Sequence, residues 1–203
     1  MTTIGVLALQ GDFSEHVSML RRIGAETREV RSAEHLRALD GLIIPGGEST
    51  TLGRLIEDFH LLEPLRVFAR SGIPTWGTCA GMIALARHAS DLPFPTLEAI
   101  DIEVDRNAYG RQVDSFEADL DVPALGAEPF PAIFIRAPIV TSSGEGVEVL
   151  ATIQHDDDPA TPVAIRQGAL LATSFHPELT TDSRFHEYFL DIALSQGRTS
   201  AAK

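Results

Sequence analysis

Short apolar runs alternate with stretches of helical period along this chain. Ile4 to Leu9 is compact enough for a first strand, and from Asp12 to Ile23 the residues Phe13, Val17 and Leu20 share one helical face. Asp12 and Glu15 have capping-box spacing at the start of that helix, and Gly24 suits the position just past its end. Strands are predicted at Thr27 to Val30 and at Leu42 to Ile44, the second stopped by Pro45-Gly46-Gly47. Ser49 or Thr50 can cap a helix through Leu55 to Phe59, and Leu61 to Arg70 predicts another, closed by Ser71-Gly72. Ile73 to Trp76 is a short strand entering Gly77-Thr78-Cys79-Ala80-Gly81, and the apolar segment Met82 to Ala86 leaves that turn as a helix.

From Leu97 to Ile165 the pattern changes to short strands separated by turns, among them Phe116 to Leu120, Ala132 to Ile135 and Val147 to Ile153. Leu170 to Phe175 returns to a buried strand before His176-Pro177-Glu178. Phe185, Tyr188, Phe189 and Ile192 then fall at i, i+3, i+4 and i+7, one face of a closing helix. This order predicts a single three-layer α/β domain over residues 1–196, with a flexible tail at 197–203. Its central sheet is mostly parallel with helices on both faces, and an antiparallel or mixed strand region is added to one side.

Length and composition narrow the classes. A chain of 203 residues with 44% apolar and 22% charged residues can bury enough surface to fold without staples. A formal charge of −13 argues against a nucleic-acid ligand, which needs a basic footprint. The longest apolar runs are strand-sized, short of the roughly 18 residues of a membrane span. No basic segment precedes the first apolar stretch, so a cytoplasmic protein is the expectation. One cysteine forms no intrachain disulfide and no cysteine-rich zinc site, and no metal is expected.

That cysteine, Cys79, sits in the G-x-nucleophile-x-G spacing of a nucleophile elbow, where a strand turns sharply into a helix. Small neighbours permit the turn, and the N–H groups of the next helix favour a thiolate. The N–H of Ala80 could also receive an oxyanion. A buried structural cysteine fits the pentapeptide equally well. His176 follows a strand, so it belongs at the edge where open α/β sheets collect catalytic groups. There it could act as base and acid for Cys79, with Glu178 holding its ring. The remaining histidines lack such a setting; five read as solvated or packing residues and His16 stays undecided.

Pro45 to Thr51 places two glycines after a strand, where their N–H groups could face an oxyanion, although taken alone an ordinary strand-to-helix turn with a Ser or Thr cap is the simpler reading. Arg106 could hold a substrate carboxylate through its planar fork, yet a solvated turn is the simpler reading of its loop. Arg136 ends an apolar strand and needs a carboxylate or solvent. Asp156-Asp157-Asp158 offers oxygen ligands, but Pro159 and Pro162 make it read as a solvated loop.

Taken together, these segments resemble the class I, triad-type glutamine amidotransferases, which have a flavodoxin-like fold. More narrowly they are similar to the glutaminase subunits of pyridoxal 5'-phosphate synthase. The matching runs are Gly5 to Gly11, Leu42 to Thr51, Gly77 to Gly81, Arg106 to Glu117, Phe134 to Pro138 and Ser174 to Leu179. Pro-Gly-Gly-Glu-Ser-Thr-Thr from Pro45 and Gly-Arg-Gln-Val-Asp-Ser-Phe-Glu from Gly110 are the most specific of them. The resemblance implies Cys79 as nucleophile, His176 as base and acid, and Glu178 as its orienting carboxylate. It implies that Gly47, Glu48, Ser49, Arg106, Ile135 and Arg136 bind L-glutamine, and that the N–H groups of Gly47 and Ala80 receive the oxyanion. The implied partner is a (β/α)8-barrel synthase subunit in a large hetero-oligomer, without which the glutaminase is poorly active. The resemblance also implies that Gln10 and His16 fall in an N-terminal region near that interface. No cofactor is implied, since pyridoxal phosphate is the product of the complex. Departures are Pro93, Pro95 and a glutamate, Glu98, where relatives tend to have glycine, and a long loop from Gln154 to Pro162. The rival classes are a free-standing cysteine hydrolase and a noncatalytic binding subunit.

Overall fold

The computed structural model describes residues 2–106, 115–154 and 159–200, with the backbone alone for 197–200. The Gly110 to Asp114 part of the family-like run, His155 and Asp156-Asp157-Asp158 therefore lie outside the described residues. In chain order the first half contains strands β1 (Thr3–Leu7), β2 (Glu26–Val30), β3 (Gly41–Ile44) and β4 (Thr75–Thr78). Helices α1 (Phe13–Arg22), α2 (Ser49–Asp58), α3 (Leu62–Arg70) and α4 (Ala80–Leu85) lie between and after them. Then come β5 (Ala86–Ala89), β6 (Ile100–Asp105), β7 (Phe116–Leu120), β8 (Phe130–Phe134), β9 (Ile139–Ser143) and β10 (Glu148–Ile153). The chain closes with β11 (Thr161–Gln167), β12 (Leu170–Thr173) and helix α5 (Arg184–Ser200).

Seven strands form one sheet in the order β10-β11-β12-β4-β3-β1-β2. β2, β1, β3, β4 and β12 are parallel, while β11 and β10 add antiparallel at one edge. The parallel part has the flavodoxin-like order, with a topological switch point between β1 and β3. Strand alternation explains the layers. Ile4, Val6, Ile43 and Trp76 face a core shared with α1, α5 and the β7–β8 hairpin. Leu7, Leu42 and Ile44 face the opposite core, with α2, α3, α4 and strands β6 and β9.

The predicted strand region is thus divided three ways. β5, β6 and β9 make a mixed sheet on one face, β7 and β8 a hairpin on the other, and β10 and β11 extend the central sheet. Short strands read alike in sequence wherever they pair, so the partition follows from tertiary contacts. Phe185, Phe189 and Ile192 of α5 are buried as the pattern requires. Its backbone runs to Ser200, past the boundary expected at residue 196, and 201–203 lie outside the described residues.

Helix ends show where local chemistry was outbid. α1 closes as expected: the Gly24 N–H donates to Arg21 O and the Ala25 N–H to Leu20 O, with Gly24 at φ +86°. At its start, however, Asp12 makes no side-chain cap bond. At α2 the cap is neither Ser49 nor Thr50 but Glu48, whose carboxylate accepts from the N–H groups of Thr50 (2.9 Å) and Thr51 (2.7 Å). Glu98 stands at φ +52°, a conformation that glycine adopts freely, in line with the glycine that the resemblance leads one to expect there. Here Glu98 is held by Arg66 at 2.8 Å.

Candidate active site

β1, β3, β4 and β12 lie side by side, and the loops leaving their C-terminal ends meet. Register aligns Ile44 with Gly77 and Thr173 with Thr78, so Cys79 emerges one residue beyond the paired sheet. Its backbone stands at φ +47°, ψ −104°, the strained turn of an elbow, with its N–H donating to Thr173 O at 2.8 Å. The flanking glycines are required by close approach. A Cβ on Gly81 would lie 1.9 Å from Ile44 O, and one on Gly77 would lie 2.3 Å from Gly81 O. Ala80 opens α4, so by position its N–H has no partner within the helix.

His176 leaves β12, and its N–H donates to Ile133 O (2.8 Å), tying it to the β7–β8 hairpin. One 3₁₀ turn, Pro177–Leu179, swings Glu178 back under the same ring. His176 Nδ1 lies 2.8 Å from Glu178 Oε1, and both side chains are buried. With Nδ1 engaged there, Nε2 is the nitrogen left to act on another group. Burial pulls the imidazole pKa down, but hydrogen bonds to Cys79 and Glu178, with their charges, outweigh it and raise it to about 10. Burial pushes the Glu178 carboxyl up, opposed by its bond to His176.

In front of the sulfur is a cavity of about 260 Å³. Cys79, His176, Gly47, Glu48, Ser49, Arg106, Ile135 and Arg136 all line it. All six residues expected to bind substrate border this space, and Glu178 lies behind His176. Burial pushes the Glu48 carboxyl up, but the bonds from Thr50 and Thr51 prevail and bring it down to about 2. Arg106 donates to Thr50 Oγ1 at 3.0 Å and to Asp91 O at 3.1 Å, and stands 3.8 Å from Glu48. Arg136 holds φ +44°, and Ile135 O accepts from the Cys79 thiol at 3.8 Å.

Four residues that the sequence did not single out as binding groups also shape the site. Asp12 and Ile83 line the cavity. Asp12 Oδ2 lies 3.8 Å from His176 Nδ1, so the carboxylate read as a helix cap faces that ring instead. Gln10 donates to Gly46 O and accepts from the Glu48 N–H, each at 3.1 Å. Thr78 Oγ1 accepts from the Gly46 N–H at 3.0 Å. Gln10 and Thr78 thereby grip the Gly46-Gly47 turn from two sides. Because a trans peptide sets its C=O and N–H on opposite sides, the grip on Gly46 O turns the Gly47 N–H away from Gln10. Polar type and position after a strand were the available signals; only tertiary pairing shows what they hold. His16, placed by resemblance near an interface, is fully buried between Trp76, His186 and Glu178.

Among solved structures, this chain superposes on one described as a glutamine amidotransferase with a TM-score of 0.84 and 50% identity, covering 94% of this chain and 98% of that one. A protein from Thermoplasma acidophilum, described as a putative GMP synthase subunit, shares the fold at a TM-score of 0.69 and 18% identity, over 99% and 98% of the two chains. The fold is that of the class I glutamine amidotransferases. Within that class the chain belongs to the SNO glutamine amidotransferase family, which it matches over residues 6–195. It is 59% identical to the pyridoxal 5'-phosphate synthase subunit PdxT of Dehalococcoides mccartyi, over 94% of this chain and 96% of that protein. The protein of the same name from Frankia alni is 55% identical, with 96% of each covered. Among the described residues no helix is long and apolar enough to cross a membrane.

Proposed function

We propose that this protein hydrolyses L-glutamine to L-glutamate and ammonia through Cys79, His176 and Glu178. The ammonia passes to a (β/α)8-barrel synthase subunit that builds pyridoxal 5'-phosphate in vitamin B6 biosynthesis. One observation carries the reading: Glu178 holds His176 Nδ1 at 2.8 Å in a buried pair beside a cysteine on a strained elbow. The relatives named PdxT support the choice of synthase.

The chemistry follows from those groups. The Cys79 sulfur attacks the side-chain amide carbon, and the carbonyl pair moves onto oxygen, received by the N–H groups of Gly47 and Ala80. His176 gives its proton to the amide nitrogen, the C–N bond breaks, and ammonia leaves a γ-glutamyl thioester. His176 then takes a proton from water as its oxygen attacks the thioester, and C–S cleavage releases glutamate. The zwitterionic end of glutamine needs one anion and one cation. Glu48 and Arg106 line the same cavity with those charges, beside Ser49, Ile135 and Arg136.

A glutamine analogue with an electrophile at its γ-carbon is expected to label Cys79 alone, with glutamine protecting it. Labelling elsewhere, or none, would exclude the catalytic reading in favour of a noncatalytic binding role. Adding the cognate synthase is expected to raise glutamate release many-fold, about 10-fold or more if docking settles the oxyanion site. An unchanged rate would favour a free-standing hydrolase.

A further inference from the structure

Behind the triad lies a second, wholly buried pair of imidazoles that the mechanism above does not use. His16 and His186 are each 0% exposed. His16 Nδ1 lies 2.9 Å from His186 Nε2, and His16 Nε2 lies 3.3 Å from both Glu178 Oε2 and Thr78 Oγ1. Glu178 Oε1 is taken by His176, whereas Oε2 is sealed from solvent and, among the described residues, has no properly directed hydrogen bond. A carboxylate oxygen without a donor in a dry interior is unfavourable, and His16 Nε2 is the nitrogen that faces it.

From this arrangement we infer that His16 is a positioning residue for Glu178, donating Nε2–H toward Oε2 in a tautomer fixed by His186. The inference rests on the triad assignment. Proton placement supports it from both ends. With its proton on Nδ1, His16 would turn a lone pair toward a carboxylate, and the Thr78 hydroxyl would have to donate to Nε2 while Glu178 Oε2 stayed without a donor. With its proton on Nε2, it faces two oxygens and leaves Nδ1 to accept from His186 Nε2–H. His186 Nδ1 has no partner among the described residues. An unpaired acceptor there is better tolerated than an unpaired buried N–H, so His186 also carries its proton on Nε2. Burial lowers both pKa values, that of His186 to about 3, so both rings are neutral donors and acceptors at pH 7. Thr78 Oγ1, which His16 Nε2 also approaches, is the oxygen that holds the Gly46 N–H. One ring thus borders the triad carboxylate and the anchor of the glycine turn together.

The test has two parts, made on the complex with its synthase. Nitrogen NMR of 15N-histidine-labelled wild-type protein is expected to show the Nε2–H tautomer at His16 and at His186. An Nδ1–H or charged His16 overturns the proposal without reference to activity. In a double-mutant cycle, His16→Leu is expected to lower kcat by about 10-fold with KM unchanged, and His16→Gln, which keeps an N–H donor, to recover much of it. In a Glu178→Gln background, His16→Leu is expected to add no further loss. Losses that multiply in the cycle, or a His16→Leu enzyme within twofold of wild type, overturn it. If His16→Leu does not fold, the tautomer measurement decides alone. A Glu178→Gln enzyme of undiminished rate would instead overturn the triad itself.

Discussion

Cys79→Ala is expected to lower glutamine hydrolysis by a factor on the order of 10⁴ or more, because removing a nucleophile disables the steps that its partners serve. The fold should not follow the activity down. The thiol's bond to Ile135 O is a long one, 3.8 Å, and alanine at φ +47° is no more strained than cysteine. Stability should therefore change by about 1 kcal/mol or less, as for mild substitutions outside the main packing clusters. Glutamate release by the complex and a thermal melt check the two halves. The variant should still bind glutamine and the synthase, so ammonia added directly should restore pyridoxal phosphate formation. Retained hydrolysis would refute the nucleophile assignment.

How much of this site could be read in advance depended on whether its residues act locally. Gly77 to Gly81 is a local device: the strained turn and its close backbone approaches are written in five consecutive residues. His176 and Glu178 form another, since one turn joins ring and carboxylate. Element order was legible for the same reason, each helix and strand carrying its own period. Asp12 was misread because capping spacing is a statement about neighbours, whereas its carboxylate faces His176, far along the chain. The role of Glu48 as the α2 cap was missed because serine and threonine are the commoner caps, and both follow it. The burial of His16 and His186 was out of reach for a deeper reason. No period distinguishes a histidine turned toward Trp76 and Glu178 from one turned to water, and the two rings are separated by most of the chain.

The same contrast between local and assembled features frames a second large effect, at a glycine whose own backbone needs no glycine. Gly46 is not among the positive-φ residues, so alanine can take its conformation. The space beside it is the constraint. A Cβ at residue 46 would lie 2.3 Å from His176 Cε1, 2.9 Å from His176 Nδ1 and 3.3 Å from Cys79 Cβ. The ring cannot slide freely, since Nδ1 is bound to a buried carboxylate at 2.8 Å and its main chain to Ile133. Gly46→Ala is therefore expected to part His176 from Cys79 while the β3–β4 pairing persists. Displacing a reacting group by about 1 Å costs on the order of 100-fold in rate, so kcat should fall by at least about that much, with a loss of about 1–3 kcal/mol from overpacking that leaves the protein folded. Labelling of Cys79 by the γ-electrophile should slow in parallel, because both reactions draw on the same imidazole. At Gly47 the outcome should differ in kind: φ is +127° and a Cβ would meet Gln10 Oε1 at 2.1 Å, so alanine there strains the turn itself. A Gly46→Ala enzyme with normal turnover would mean that the ring has room to move, and that the tight fit of cysteine, imidazole and glycine turn is not what sets the rate.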